Sequence, residues 1–259
     1  MPTFTGKKFS NFYKNLLGIN QHGNTGVDAT VRTVQDGVGN NTSLSLGTRN
    51  TKVICTTHNT TSAFTVANKG GSNILAVDTN NSKVLAGASQ VAANTQFKEM
   101  GLYDFSPTAG YHYPLIANTM HFESAYAGDN DWGNGADPAT TLDVSGLTAQ
   151  ENAVAVYWYL ENDITLDSVR FMATADGSAT LNFHLFAYTL DVSSNLGDLS
   201  SGVVHANGTV DATATTIKTG TFTLDTADID AGKVVVGFVE NVTDTSDVTV
   251  SFNIKYHIR

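Results

Sequence analysis

The chain has 259 residues, a formal net charge of -10 and only 15% charged residues. Without clustered Lys and Arg it has no footing on nucleic-acid phosphates. Its single cysteine, Cys55, excludes an intrachain disulfide framework.

Residues 1–21 carry Lys7 and Lys8 but no continuous apolar core ahead of a small-residue cleavage site. No stretch approaches the ~20 apolar residues of a membrane helix. The expectation is a soluble protein made in a cytoplasm, with no membrane insertion. Within this segment Phe9, Phe12, Tyr13, Leu16 and Leu17 recur at spacings of three and four, Ser10 is placed to cap and Gly18 to stop. The pattern predicts one short amphipathic helix over 11–17. So short a helix must dock on something: on its own domain, or as an anchor in a partner protein. Residues 21–43 are rich in Gly, Asn, Asp and Thr, with Val27, Val31 and Val34 as sparse apolar points. They read as an extended connector lying on a neighbour.

Residues 44–91 read as very short strands, at 44–46, 52–55, 63–66, 74–77 and 83–86, separated by turns such as 68–71 and 78–81. Each carries few apolar residues, and such a ribbon buries too little surface to fold alone. Three copies wrapped round a common axis would supply the missing partner; a small sandwich within one chain is the rival reading. Phe97, Leu102, Tyr103 and Phe105 follow in 95–105, then an aromatic turn at 110–114 and a candidate strand at 115–122. The Gly/Asp/Asn loop 128–138 reads as the clearest boundary, with a first strand of the next domain at 140–144.

Residues 152–259 read as one all-β domain. The run 154–160 is apolar, β-branched and aromatic. In 180–188, Leu181, Phe183, Leu185 and Ala187 share one face of a strand. Later runs at 220–224, 233–239 and 248–256, divided by turns such as Asp176-Gly177, suggest a β-sandwich or jelly roll. The expected organisation is an anchor and connector (1–43), a short-strand β region (44–127) and a sandwich head (139–259).

Catalytic signatures are absent. There is no Gly-x-Ser-x-Gly elbow, Walker loop or dinucleotide fingerprint. Cys55 and His58 stand three apart, on opposite faces of a strand, so Cys55 reads as a small buried hydrophobe. The oxygen-rich loop containing Asp129, Asp131 and Asp137 could ligate Ca²⁺. It departs from the calcium helix–loop–helix spacing at Gly133, and a solvated linker is the simpler reading. No His-x-His pair occurs. Glycan hydrolysis would need two carboxylates across a groove, which the sequence does not pair. Trp132, Tyr157, Trp158 and Tyr159 could offer stacking faces, with Trp158 opposite to the two tyrosines.

The segment Phe12-Tyr13-Lys14-Asn15-Leu16-Leu17-Gly18-Ile19-Asn20-Gln21 with Thr25-Gly26-Val27-Asp28-Ala29-Thr30 resembles the start of virion structural proteins of marine tailed phages. Ile74-Leu75-Ala76-Val77-Asp78-Thr79-Asn80-Asn81-Ser82-Lys83 is similar to a segment of phage fibre shafts. Leu181-Asn182-Phe183-His184-Leu185 and the ending Ile254-Lys255-Tyr256-His257-Ile258 are also similar to that group. The resemblance implies a non-enzymatic homotrimer with a thin N-terminal part, a β-rich head and contacts to other virion proteins. Phe9, Phe12, Tyr13, Leu16 and Leu17 would then be the virion anchor. Loops at the ends of the head, marked by Asp176, Ser178, Asn195, Asp244 and Asp247, would face a host glycan or protein. No cofactor beyond the Ca²⁺ candidate is expected. The alternatives are a capsid decoration protein and a glycan-binding or glycan-cleaving tailspike.

Overall fold

The computed structural model describes residues 17–20, 26–55, 58–87, 91–118, 132–143, 153–193, 197–214, 216–243 and 245–259. The chain is all-β, of sandwich or jelly-roll type. It divides into two compact units, at Ala93 and Asn94.

The first unit holds two four-stranded antiparallel sheets. One is the meander β1 (Leu17–Ile19), β2 (Arg32–Asp36), β3 (Asn41–Leu46), β4 (Thr51–Val53). The other is β5 (Phe64–Ala67), β6 (Asn73–Asp78), β7 (Lys83–Ala86), β8 (Val91–Ala92). Their turns are built by Asx side chains that accept from the backbone. Asp36 Oδ1 accepts from the Val38 and Asn40 amides (2.9 and 2.8 Å), Asn68 Oδ1 from Gly70 and Ser72 (2.9 and 3.0 Å), and Asp78 Oδ1 from Asn80 and Asn81 (both 3.0 Å).

The helix expected through Leu17 does not reach it. Leu17, Gly18 and Ile19 are extended and pair with Asp36, Gln35 and Val34, and the Asn20 amide donates to Thr33 O at 3.0 Å. A partner strand satisfies these backbone groups, so a helical turn has nothing to add. Residues 11–16 of that expected helix lie outside the described residues.

The second unit contains β9 (Thr95–Phe105), β10 (His112–Pro114), a single helical turn α1 (Ala153–Val156), β11 (Trp158–Tyr159), β12 (Ile164–Ala175), β13 (Ala179–Leu190), β14 (Leu199–Ala212), β15 (Lys218–Thr221), β16 (Thr223–Leu224), β17 (Asp228–Ile229), β18 (Lys233–Asn241) and β19 (Val248–Ile258). One sheet has the order β10-β18-β13-β14-β16, with β11 also on β18. The other runs β15-β12-β19-β9, with β17 also on β12. The boundary therefore precedes the expected one. Thr95–Phe105, placed by the sequence in the short-strand region, pairs along most of β19.

The two sheets face each other across one core. Leu181, Phe183, Leu185 and Ala187 point into it from β13, opposite Val169, Phe171 and Ala173 of β12 and Val250, Phe252 and Ile254 of β19. Four phenylalanines stitch the layers: Phe183 lies 4.7 Å from Phe171, 5.9 Å from Phe222 and 5.5 Å from Phe252 between ring centroids. Gly220 is required beside them, because a Cβ there would come within 2.5 Å of the Phe171 ring.

The β10-β18-β13-β14-β16 sheet is buried on its other face as well. Phe186, Tyr188, Val234, Val236 and Phe238 pack there under Trp132, Leu142, Ala153 and Val156. The loop expected to be a solvated boundary is thus, over 132–142, a cover strapped to the sheet. Leu142 exchanges backbone hydrogen bonds with Leu199 (2.8 and 2.9 Å), and the Tyr188 hydroxyl donates to Ala139 O at 2.9 Å. The run 154–160, expected as one strand, splits into α1 and β11. Its first part turns to place Ala153 and Val156 on this second core.

Candidate functional site

The first candidate surface lies on the β5–β8 sheet. Register aligns Phe64, Val77 and Val84 in one row, and Val66, Leu75, Ala86 and Val91 in the next. Cross-strand partners project from the same face, so this face is apolar from edge to edge and carries no charge. Phe64, Val66, Val84 and Val91 are 44%, 44%, 43% and 37% exposed. The opposite face is where Ala76 and Asp78 are buried. Among the described residues before Asn94, only Val34 and Ala76 are buried apolar side chains.

The second is the loop end of the sandwich. Asp176 and Ser178 are exposed in the β12–β13 turn. The Asp176 amide donates to Asp247 O at 3.0 Å, and the Thr180 amide donates to the Thr243 hydroxyl at 3.3 Å. Asp247 also accepts from the Ser106 hydroxyl. The β12–β13 and β18–β19 connections thus form one cluster. The expected third loop lies at the other end: β13 and β14 close there through Leu190 opposite Leu199, and Asp191 N donates to Asp198 O at 2.9 Å. A hairpin reverses the chain, so the connections before and after β13 fall at opposite ends. Asn195 and Asp244 lie outside the described residues.

Beside the first loop cluster, on the covered face, stands a buried polar row that the sequence reading missed. His112, Glu240 and Asn182 are cross-strand neighbours on β10, β18 and β13. Asn182 Nδ2 donates to Glu240 Oε2 and the Thr209 hydroxyl donates to Asn182 Oδ1, both at 2.9 Å. His112 Nε2 is 3.8 Å from Glu240 Oε2, and its ring is 5.2 Å from that of His184 between centroids. The cover reaches into this row. Gly133 O accepts from the His112 amide at 3.0 Å, and Asp137 Oδ1 lies 3.5 Å from His184 Nε2. Burial drives both imidazoles toward the neutral form. His184 is pushed down to about 4, chiefly by desolvation and then by His112, against the opposing pull of Asp137 and Asp225. His112 is lowered by desolvation, against Glu240. The row seats the cover on the sheet.

Of the remaining expected residues, Asp137 therefore faces a histidine, and Asp129 and Asp131 lie outside the described residues. Among the described residues, no three His, Cys, Asp or Glu side chains group as metal ligands. Phe9, Phe12, Tyr13 and Leu16 also lie outside the described residues, whereas Leu17 is exposed on β1. The four aromatics weighed as stacking faces are largely spent on packing. Trp132 packs at a tilt against Phe238 with ring centroids 5.3 Å apart, Trp158 likewise against Tyr256 at 5.0 Å, and the Tyr157 hydroxyl donates to Gly197 O at 3.0 Å. Tyr159 alone is more than half exposed. Among the described residues no helix is long and apolar enough to cross a membrane.

No family model matches the sequence, and no curated protein matches it. Among solved structures, the chain is similar to a structure of the infectious bursal disease virus Gx strain, with a TM-score of 0.32 and 8% identity over 63% of this chain and 32% of that one. It is also similar to an alpha-amino acid ester hydrolase labelled with selenomethionine, with a TM-score of 0.28 and 9% identity over 67% and 33%. The chain spans about a third of each of those chains.

Proposed function

We propose that this chain is a non-enzymatic structural protein of a bacteriophage virion, a homotrimeric surface fibre used in host attachment and seated on another virion protein through its N-terminal region. The sequence resemblance in 12–30, 74–83 and 181–185 supports the class. The observation that carries the reading is the apolar face of the β5–β8 sheet, in a unit whose described residues bury only Val34 and Ala76 among apolar side chains. A contiguous exposed apolar face of this kind is what marks an interaction site on a protein surface, and here Phe64, Val66, Val84 and Val91 are all exposed on it. The loop cluster around Asp176 and Asp247 would be repeated three times in that assembly, which lets individually weak contacts hold a host surface.

The experiment is negative-stain imaging of intact particles labelled with an antibody against this chain. Label on projecting fibres is expected. Label spread evenly over the shell would contradict the fibre and point to capsid decoration.

A further inference from the structure

The outward face of the β15-β12-β19-β9 sheet carries a feature separate from the loops. Alternation turns Arg170 and Met172 outward from β12, Ser251 and Asn253 from β19, and Thr219 and Thr221 from β15. Register sets them in two rows, Thr221–Arg170–Asn253 and Thr219–Met172–Ser251. They line a shallow groove of about 580 Å³, within the volume range of small-ligand sites. Among the described residues, Arg170 is the only charged side chain lining it. Among the described residues, none of these five polar side chains has a hydrogen-bond or ion-pair partner. On the same face, the β9 edge presents Phe97 and Tyr103, which are 63% and 81% exposed, and the exposed carboxylate Glu99 opposite Asn253, which sets the far, acidic limit of the Thr221–Arg170–Asn253 row.

We propose that this groove binds an anionic sugar. Arg170 presents a planar, permanently charged fork that fits a carboxylate in bidentate fashion. Asn253, Ser251, Thr219 and Thr221 supply donors and acceptors for ring hydroxyls, and Met172 supplies an apolar surface for the C–H face of the ring. Peptide capture by strand addition uses a sheet edge, here the outer side of β15 or β9, whereas these side chains stand on the face over β12 and β19, which are both paired on either side. Nucleic acid needs several cations, and the groove has one. A lone arginine on a chain of net charge -10 selects a ligand with few, localised negative charges. The biological use of the groove rests on the attachment reading, but its ligand chemistry does not.

The test is affinity gel electrophoresis of the full chain in gels containing polygalacturonate, dextran or poly-glutamate at equal mass. Retardation by polygalacturonate alone is expected. Arg170→Ala should weaken it about tenfold, as for loss of a charge-assisted hydrogen-bonded pair, and Asn253→Ala should weaken it less. Lys255→Ala, on the same face outside the groove, should leave it unchanged. Equal retardation by poly-glutamate, equal loss with Lys255→Ala, or no loss with Arg170→Ala would overturn the proposal. The assay uses isolated protein, so its failure is distinguishable from failure of the attachment reading, which is judged on particles.

Discussion

The two units handle the same β-strand chemistry in opposite ways. From Asn94 on, every long strand finds a second layer. β12 and β19 bury one face, whereas β13 and β18 bury both, the second under the Trp132–Leu142 cover. Before it, the strands are equally regular in register, yet among the described residues Phe64, Val66, Val84 and Val91 stay exposed on one apolar face. The difference teaches that alternation fixes which side chains share a face but not what covers that face. In the second unit the cover comes from the same chain. In the first, our reading is that it comes from other copies.

The largest effect should come from the closed core. Phe183→Ala removes a fully buried ring that touches Phe171, Phe222 and Phe252. It should cost about 3–5 kcal/mol in denaturant unfolding of the sandwich while leaving the oligomer mass unchanged. The reciprocal change is Val66→Asp with Val77→Asp on the open sheet. Burying unpaired carboxylates costs on the order of several kcal/mol, so the assembly should dissociate while the melting of the sandwich barely moves. Retention of the assembly would mean that this face is not the interface.

Next comes Gly220→Ala. The added methyl meets the Phe171 ring, and overpacking of this kind costs roughly 1–3 kcal/mol. A loss well below that in thermal melting would show that the ring can step aside.

Acid should loosen the cover. The folded state holds His184 down at about 4, whereas an unfolded histidine titrates near 6.5. The unfolded chain therefore takes up protons first. The contribution of neutral His184 is fully present above pH 6.5 and is lost as pH falls from there toward 4. Melting temperature should decline across that window, and His184→Asn should flatten the decline. An unchanged slope in the variant would assign the titration to other groups.

The smallest stability effect should be at the exposed loop. Asp176→Ala and Ser178→Ala should stay within about 0.5 kcal/mol of the parent, yet particles carrying them should adsorb less well to host cells. Normal adsorption would argue for a decoration role.

Much of the sandwich was legible in the residues. The shared face of Leu181, Phe183, Leu185 and Ala187 follows from period-two alternation, and the Asx turns follow from their own side-chain chemistry. Partners distant in sequence were not legible. Nothing local in 95–105 says that Leu102 pairs with Val250, or that Trp132 lies on Phe238. The Gly/Asp/Asn composition around Trp132 reads as solvent-facing loop, because a cover segment satisfies its backbone on a neighbour rather than in a pattern of its own. The polar row of His112, Asn182 and Glu240 was hidden for the same reason, since it exists only once β10, β18 and β13 are side by side. The open face in 64–91 could be suspected from its poverty of apolar residues, but the alignment of those few residues into one continuous surface needed the register.

The most direct test of the account is the solution mass of the full chain, by light scattering on the eluting peak, for the parent and for the Val66→Asp, Val77→Asp variant. The account predicts three times the 27.5 kDa chain mass for the parent and a single chain mass for the variant, with residues 58–92 turning protease-sensitive only in the latter. A parent that elutes as one chain, with that segment resistant to protease, would contradict it.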